Sequence, residues 1–195
     1  VLKDIKAGEG VLKKLNQLKI PVITVTGNND FTKWPDAVDA GYYKNKKKWK
    51  WFDTDFFTPL IKKYKNIKCI DYSYAKFDDF VFIGMPGTSF PGKVKTRNYK
   101  KMRERMEKLF ERFKGKKIIF VSHNVPYNTK LDKITSKEAH VLAKGRHYGS
   151  KLIRRVIEKH SPFLHFGGHI HEGKGKQKLG NTLSINAGAV HDGEG

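Results

Sequence analysis

Residues 161–173, SPFLHFGGHIHEG, decide the fold of this chain of 195 residues. The apolar run Phe163–Phe166 is typical of a short buried strand, and two glycines separate it from His169 and His171. Glycine allows a backbone to approach a ligand closely. Layered α/β proteins bind their ligands beyond the carboxyl ends of strands. The stretch therefore predicts a strand of an α/β protein that ends in a ligand site.

Two further apolar runs end in polar loops in the same way. The run PVITVT, residues 21–26, leads into Gly-Asn-Asn-Asp at 27–30. The run KIIFV, residues 117–121, leads into Ser-His-Asn-Val-Pro at 122–126. These loops lie far apart in sequence, but strands that end at the same edge of a sheet would bring them together.

The three loops carry side chains that suit a divalent metal ion. Imidazole nitrogens and an asparagine carbonyl oxygen are ligands for Mn, Fe, Ni or Zn. His169 and His171 would share one side of an extended strand, whereas in a tight loop they would splay apart. Each loop alone has a structural interpretation, as a turn or a buried histidine, and only their conjunction predicts a site. The candidate metal ligands are Asn28, His123, His169 and His171.

Strands and helices alternate along the chain, which favours a layered α/β arrangement. Apolar periodicity predicts helices over 8–19, 55–65, 98–114 and 149–160, and strands over 67–72, 80–83 and 182–186. The length allows one domain, spanning 1–195, with a core of its own.

Composition narrows the classes of protein that fit. The net charge is +21, from 40 basic and 19 acidic side chains. The positive electrostatic field of such a charge favours binding to phosphates, nucleic acids or anionic surfaces. A lysine-rich proteome explains the same net charge equally well. No stretch approaches the roughly 18 apolar residues of a membrane span. Cys69 is the only cysteine, so no intramolecular disulfide can form, and we expect a cytoplasmic protein.

In their order and context these motifs resemble those of the calcineurin-like metallophosphoesterase superfamily, especially its small archaeal and bacterial members. The family pattern is D-x-H, G-D-x-x-D, G-N-H-D/E, a histidine in a G-H or S-H loop, and G-H-x-H. The resemblance extends over GRHYGSKLIRRVIEKHSPFLHFGGHIHEG, residues 145–173, and NTLSINAGA, residues 181–189. It implies a sandwich of two β-sheets flanked by helices.

The resemblance also implies roles for the candidate ligands. Asn28, His123 and His169 resemble the ligands of the second metal ion of the family's dinuclear centre. His171 resembles a ligand of the first ion.

The same loops supply the candidate catalytic residues Asn29, Asp30 and His123. Asn29 stands where many relatives have the histidine that protonates the leaving group, and an amide cannot act as a general acid near neutral pH. Asp30 would orient that neighbouring position. Good leaving groups need less protonation, so this departure narrows the substrates without excluding hydrolysis.

D-x-H and G-D-x-x-D are not found in the sequence, and the resemblance leads us to expect them upstream of Val1, as if the domain were truncated at its N-terminus. The remaining ligands are neutral, so we expect partial occupancy of the two metal positions. The implied function is metal-dependent phosphoester hydrolysis, as a phosphodiesterase with a dinuclear centre of Mn, Fe, Ni or Zn ions that activates water. The alternative is a degenerate, non-catalytic relative that binds nucleic acid or protein through its basic surface.

Three further features leave alternatives open. Residues 42–57, YYKNKKKWKWFDTDFF, would stack on nucleotide bases or pack as a small satellite core. His147, with Arg146 and the amides of 149–150, suits either a phosphate or a helix-entry loop. A sheet edge left by missing strands would let a second copy pair there and form a homo-oligomer.

Overall fold

A computed structural model describes residues 2–27, 57–87, 97–135 and 144–189. Asn28, Asn29, Asp30 and most of the stretch 42–57 lie outside these ranges. The described helices are α1 Leu2–Asn16, α2 Phe57–Ile61, α3 Arg97–Arg112 and α4 Lys151–His160. The strands are β1 Val22–Thr24, β2 Ile67–Cys69, β3 Tyr74–Phe77, β4 Phe80–Met85, β5 Lys117–Asn124, β6 Leu164–Gly168, β7 Gly175–Leu179 and β8 Thr182–Asn186.

Six of these strands form one mixed sheet in the order β3-β4-β5-β6-β8-β7. Strands β4, β5, β6 and β8 are parallel, and the outer strands β3 and β7 pair antiparallel to them. Asn124 at the end of β5 pairs with Gly168 at the end of β6. The register therefore places His123 and His169 at the same edge of the sheet.

The strands β1 and β2 form a second, parallel sheet. It is tied to the larger sheet where the amide of Gly87 donates to Thr26 O, at 2.7 Å, and where Asp71 bridges to Gly84. Thr26 donates to both oxygens of Asp71, at 2.9 and 2.6 Å. The prediction of two sheets flanked by helices is thereby confirmed.

The main core lies between the larger sheet and helices α3 and α4. Helix α4 buries the apolar face that its sequence predicted, from Leu152 and Ile153 to Val156 and Ile157. Phe110 of α3 meets Phe120 of β5 edge to face, with 5.3 Å between ring centroids. Burying a side chain of this size stabilises the fold by roughly 1.5–3 kcal/mol. This packing fixes β5, and with it the edge that carries His123.

The outer strands of the larger sheet carry lysines. Lys76 is exposed on β3, and Lys176 and Lys178 are exposed on β7. Lysine on an edge strand disfavours pairing with another chain. Neither strand was predicted, because β3 is short and β7 has a single buried apolar residue, Leu179. Among the described helices, none combines the length and the apolar character needed to cross a bilayer.

Candidate metal centre

An open pocket of about 360 Å³ lies where the two sheets meet, at the carboxyl ends of their strands. Thr24 and Val25 line it from β1 and the residues that follow this strand, and His123 lines it from β5. His169 and His171 line it from the segment that follows β6. The pocket thus brings together three chain segments that the sequence predicted to meet.

Two imidazoles converge in this pocket. Nε2 of His123 lies 3.0 Å from Nδ1 of His169, and the rings are 4.8 Å apart and inclined at 63°. Two nitrogens bound at right angles to one ion, each at about 2.1 Å, would be separated by about 3.0 Å. The observed separation therefore fits two ligands of a single metal ion. His171 lies two residues further on, in a short 3₁₀ helix, His171–Gly173.

Burial keeps these histidines in the form that binds metal. Desolvation lowers the pKa of His123 to about 4, and the neighbouring His169 and His171 contribute to this lowering. Desolvation, followed by the influence of His171, also lowers the pKa of His169. A neutral imidazole keeps the lone pair that a metal ion requires. Both ring systems are therefore ready to bind a metal ion near neutral pH.

His169 adopts an unusual backbone conformation. Its φ angle is +73°, in the left-handed region that side chains other than glycine rarely occupy. Strand β6 ends one residue earlier, at Gly168, so His169 and His171 belong to a tight turn and not to an extended strand. Strain of this kind persists where the surrounding structure holds it, and it clusters at functional sites.

This strain gives a test of stability. The variant His169→Gly is expected to have a free energy of unfolding about 1 kcal/mol higher than that of His169→Ala, because alanine at a positive φ keeps the strain that glycine relieves. Urea unfolding of both variants without added metal measures the difference. Equal stabilities would contradict a strained turn.

A buried histidine supports β5, β6 and β8 from below the pocket. His165 is fully buried, with Nε2 2.7 Å from Oγ of Ser122 and Nδ1 2.6 Å from Oγ of Ser184. Ser122 donates its hydroxyl proton to Asn124 O, at 2.7 Å, so its oxygen accepts from Nε2–H of His165. Nδ1 then accepts from Ser184. Through these two contacts His165 holds β5, β6 and β8 together.

Desolvation lowers the pKa of His165 to about 3, which makes stability depend on pH. In the unfolded chain His165 has a pKa near 6.5, so below that pH the unfolded chain binds a proton that the folded protein does not. The stability of the folded protein is therefore unaffected by this group above pH 6.5 and falls between pH 6.5 and 3. From pH 7 to 5 the wild-type protein is expected to lose about 2 kcal/mol more stability than His165→Gln. Urea unfolding at both pH values checks this, and parallel losses would refute it.

Asn186 joins the turn of the histidines to a neighbouring loop. Its Nδ2 donates to Ile170 O at 2.7 Å and to Leu131 O at 3.0 Å. Ile170 lies between His169 and His171, so the amide holds the turn on which both rings sit. Sequence reasoning did not single out Asn186, although it ends the stretch of apolar alternation in 182–186 that marks β8.

The structure brings together part of the predicted ligand set. His123 and His169 are in contact, and His171 lines the same pocket. Asn28, Asn29 and Asp30 follow Gly27, the last described residue of this segment, and their placement is not described. Within the described ranges, no group of three or more His, Cys, Asp or Glu side chains is arranged to hold a metal ion. The full ligand set therefore remains a prediction.

Comparison with known proteins places the chain among relatives. The sequence profile of the family described as calcineurin-like phosphoesterase matches residues 5–173. An uncharacterized protein of Methanocaldococcus jannaschii is 37% identical over 120 residues, which are 60% of this chain and 52% of that protein. The chain thus spans about half the length of this curated relative.

Solved structures share the fold. One crystal structure has a TM-score of 0.65 and 20% sequence identity, covering 97% of this chain and 65% of the other. The crystal structure of a protein from Thermus thermophilus has a TM-score of 0.58 and 15% identity, covering 98% of this chain and 72% of that one.

Proposed function

Because the chain belongs to the calcineurin-like phosphoesterase family, we propose that it hydrolyses phosphoesters with divalent metal ions held beside His123 and His169. The family as a whole supports metal-dependent phosphoester hydrolysis. The observation that carries the proposal for this chain is the 3.0 Å approach of two half-buried imidazoles in an open pocket at the strand ends.

The chain's own residues would do three things. His123, His169 and His171 would hold metal, joined by Asn28. The tight turn at His169 and the amide of Asn186 would keep the imidazoles in place. The open pocket would admit a phosphoester to the same edge of the sheet. A bound divalent ion would supply Lewis-acid polarisation of phosphoryl oxygens and lower the pKa of water.

We further propose a phosphodiesterase with a dinuclear, manganese-type centre that acts in the cytoplasm. Asn29 supports the preference for diesters with good leaving groups, because its amide cannot protonate an alkoxide at neutral pH. A single cysteine, Cys69, fits a reducing compartment.

Hydrolysis of bis(p-nitrophenyl) phosphate by the full-length protein tests the proposal. The expected result is turnover that depends on added Mn²⁺ and is abolished by a chelator. Absence of turnover with Mn²⁺, Fe²⁺, Ni²⁺ and Zn²⁺ would overturn the enzymatic function, and would favour a non-catalytic relative that binds anionic partners.

Metal content is expected to be partial when only these 195 residues are present. Imidazoles and an amide carry no negative charge, so the predicted ligands bind dications without the carboxylates that usually anchor them. Elemental analysis after dialysis against Mn²⁺ should give less than two ions per chain. Two tightly held ions per chain would contradict the prediction.

A further inference from the structure

The loop between β5 and α4 folds around a buried carboxylate. Asp132 is fully buried and accepts hydrogen bonds from the amides of Asn128, Thr129 and Gly149, at 3.0, 2.8 and 2.8 Å. Nδ1 of His147 lies 2.7 Å from its Oδ1. A carboxylate only accepts, so Nδ1–H of His147 is the donor. The imidazole is thereby held in one orientation, and its side chain is partly exposed.

This loop lies against the turn that carries the histidines of the metal centre. A Cβ placed on Gly173 would meet Leu131 O at 2.1 Å, so the two backbones are in direct contact. His171 lies two residues before Gly173, and Asp132 follows Leu131. Chain dimensions therefore limit the distance between the Cα atoms of His171 and Asp132 to roughly 16 Å. The loop that holds Asp132 therefore packs directly against the turn that carries His169 and His171.

The surface around His147 is positively charged. In the described part of the loop and the first turn of α4 the basic residues are Lys130, Lys133, Lys144, Arg146, Lys151 and Arg154. The acidic residue in the same described segments is Asp132, and its side chain is buried. Arg154 already bonds Tyr127 O, Asn128 O and the carboxylate of Glu158.

Three side chains form a row on this surface. Nζ of Lys151 lies 5.0 Å from the ring centroid of Tyr127, and the ring of His147 lies 6.1 Å from the same centroid. The side chain of His147 is 29% exposed, so the row is open to solvent. We call Tyr127, His147 and Lys151 the loop subsite. It offers two side-chain nitrogens beside an aromatic face.

We propose that the loop subsite binds a phosphate group of the substrate other than the one that is cleaved. This inference rests on the proposed function and names its substrate class, phosphoesters that carry at least two phosphates. Nδ1–H of His147 stays bonded to Asp132 while Nε2 bonds a phosphate oxygen, and the ammonium of Lys151 adds a charge-assisted bond. The face of Tyr127 packs against the sugar or base between the two phosphates.

Two variants separate this role from a purely structural one. In His147→Asn the amide nitrogen takes the place of Nδ1, so the bond to Asp132 is kept while Nε2 is removed. Lys151→Met removes a charge and keeps the aliphatic chain. The matched control is Lys116→Met, which removes one charge next to the start of β5, at the opposite end of the sheet.

Kinetics provide the first readout, with a 5′-phosphorylated thymidine dinucleotide and with bis(p-nitrophenyl) phosphate, which has a single phosphate. We expect His147→Asn and Lys151→Met each to raise KM for the dinucleotide about tenfold, because each variant loses one contact to a charged phosphate. The value of kcat should stay within about twofold of the wild type. KM for the single-phosphate substrate and all values of Lys116→Met stay unchanged. Equal changes in KM for both substrates, or no change for either, would overturn the proposal.

Binding provides a second readout that needs no turnover. Titration of the protein with millimolar inorganic phosphate should shift the NMR signal of the His147 Cε1 proton, and Lys151→Met should weaken this binding while Lys116→Met does not. No shift at His147 overturns the subsite. If neither substrate is hydrolysed but the shift is seen, the proposed function fails and the anion site stands.

Discussion

The variant His123→Ala is expected to hydrolyse phosphoesters at least about 10³-fold more slowly than the wild-type protein. In the wild-type protein, Nε2 of His123 lies 3.0 Å from Nδ1 of His169. The variant lacks this nitrogen, so an ion in the pocket would have one fewer protein ligand. A bound ion contributes several kcal/mol to transition-state stabilisation, and each step of about 1.4 kcal/mol is a factor of ten in rate. Metal-dependent turnover of bis(p-nitrophenyl) phosphate measures the loss.

The matched control removes an imidazole elsewhere. His160 ends α4, stacks on Phe110 with 5.0 Å between ring centroids, and lies at the opposite end of the sheet from the pocket. The variant His160→Gln should keep its rate within about twofold, even if its stability falls. A His123→Ala protein that keeps more than a tenth of the wild-type rate would remove His123 from the ligand set.

The variant Gly84→Ala is expected to unfold with a free energy lower by at least about 3 kcal/mol. A Cβ on Gly84 would lie 2.2 Å from Ile70 O and 2.6 Å from Ile70 Cγ1, distances that no real contact allows. The obstacle is backbone, so relief requires the two sheets to move apart at the bridge between Asp71 and Gly84. For a chain of this length the expected fall in Tm is roughly 6–12 °C.

Gly10→Ala is the matched glycine substitution. Gly10 lies within α1 and has no atom within 4 Å of an added Cβ, so alanine should stabilise the helix by about 0.5–1 kcal/mol. Thermal unfolding of both variants decides the point. A Gly84→Ala protein as stable as the wild type would mean that the two sheets are not held together at this position.

The sequence predicted the elements that bury an apolar face and missed those that do not. Helix α4 follows an apolar periodicity of the helical kind, and strands β4 and β5 follow short apolar runs bounded by glycine or polar residues. Strand β7, with the sequence GKQKL, lies at the edge of the sheet and needs little apolar surface. Its place is set by pairing with β8, which a local pattern does not contain.

The site was predictable in its parts but not in its geometry. Three strand ends with polar loops were enough to expect His123 and His169 in contact. The segment 122–124, predicted as a loop, extends β5 instead, so His123 is held by the sheet itself. The positive φ of His169 and the amide bracket of Asn186 depend on contacts between distant segments, which no local spacing encodes.

The lysines of β3 and β7 have a practical consequence for handling the protein. When two copies approach side by side, Lys76 or Lys178 of one copy meets a like charge on the other before main-chain bonds can form. Concentrated samples should therefore remain in solution at low salt. Turbidity that rises when salt is added would indicate that this repulsion is screened.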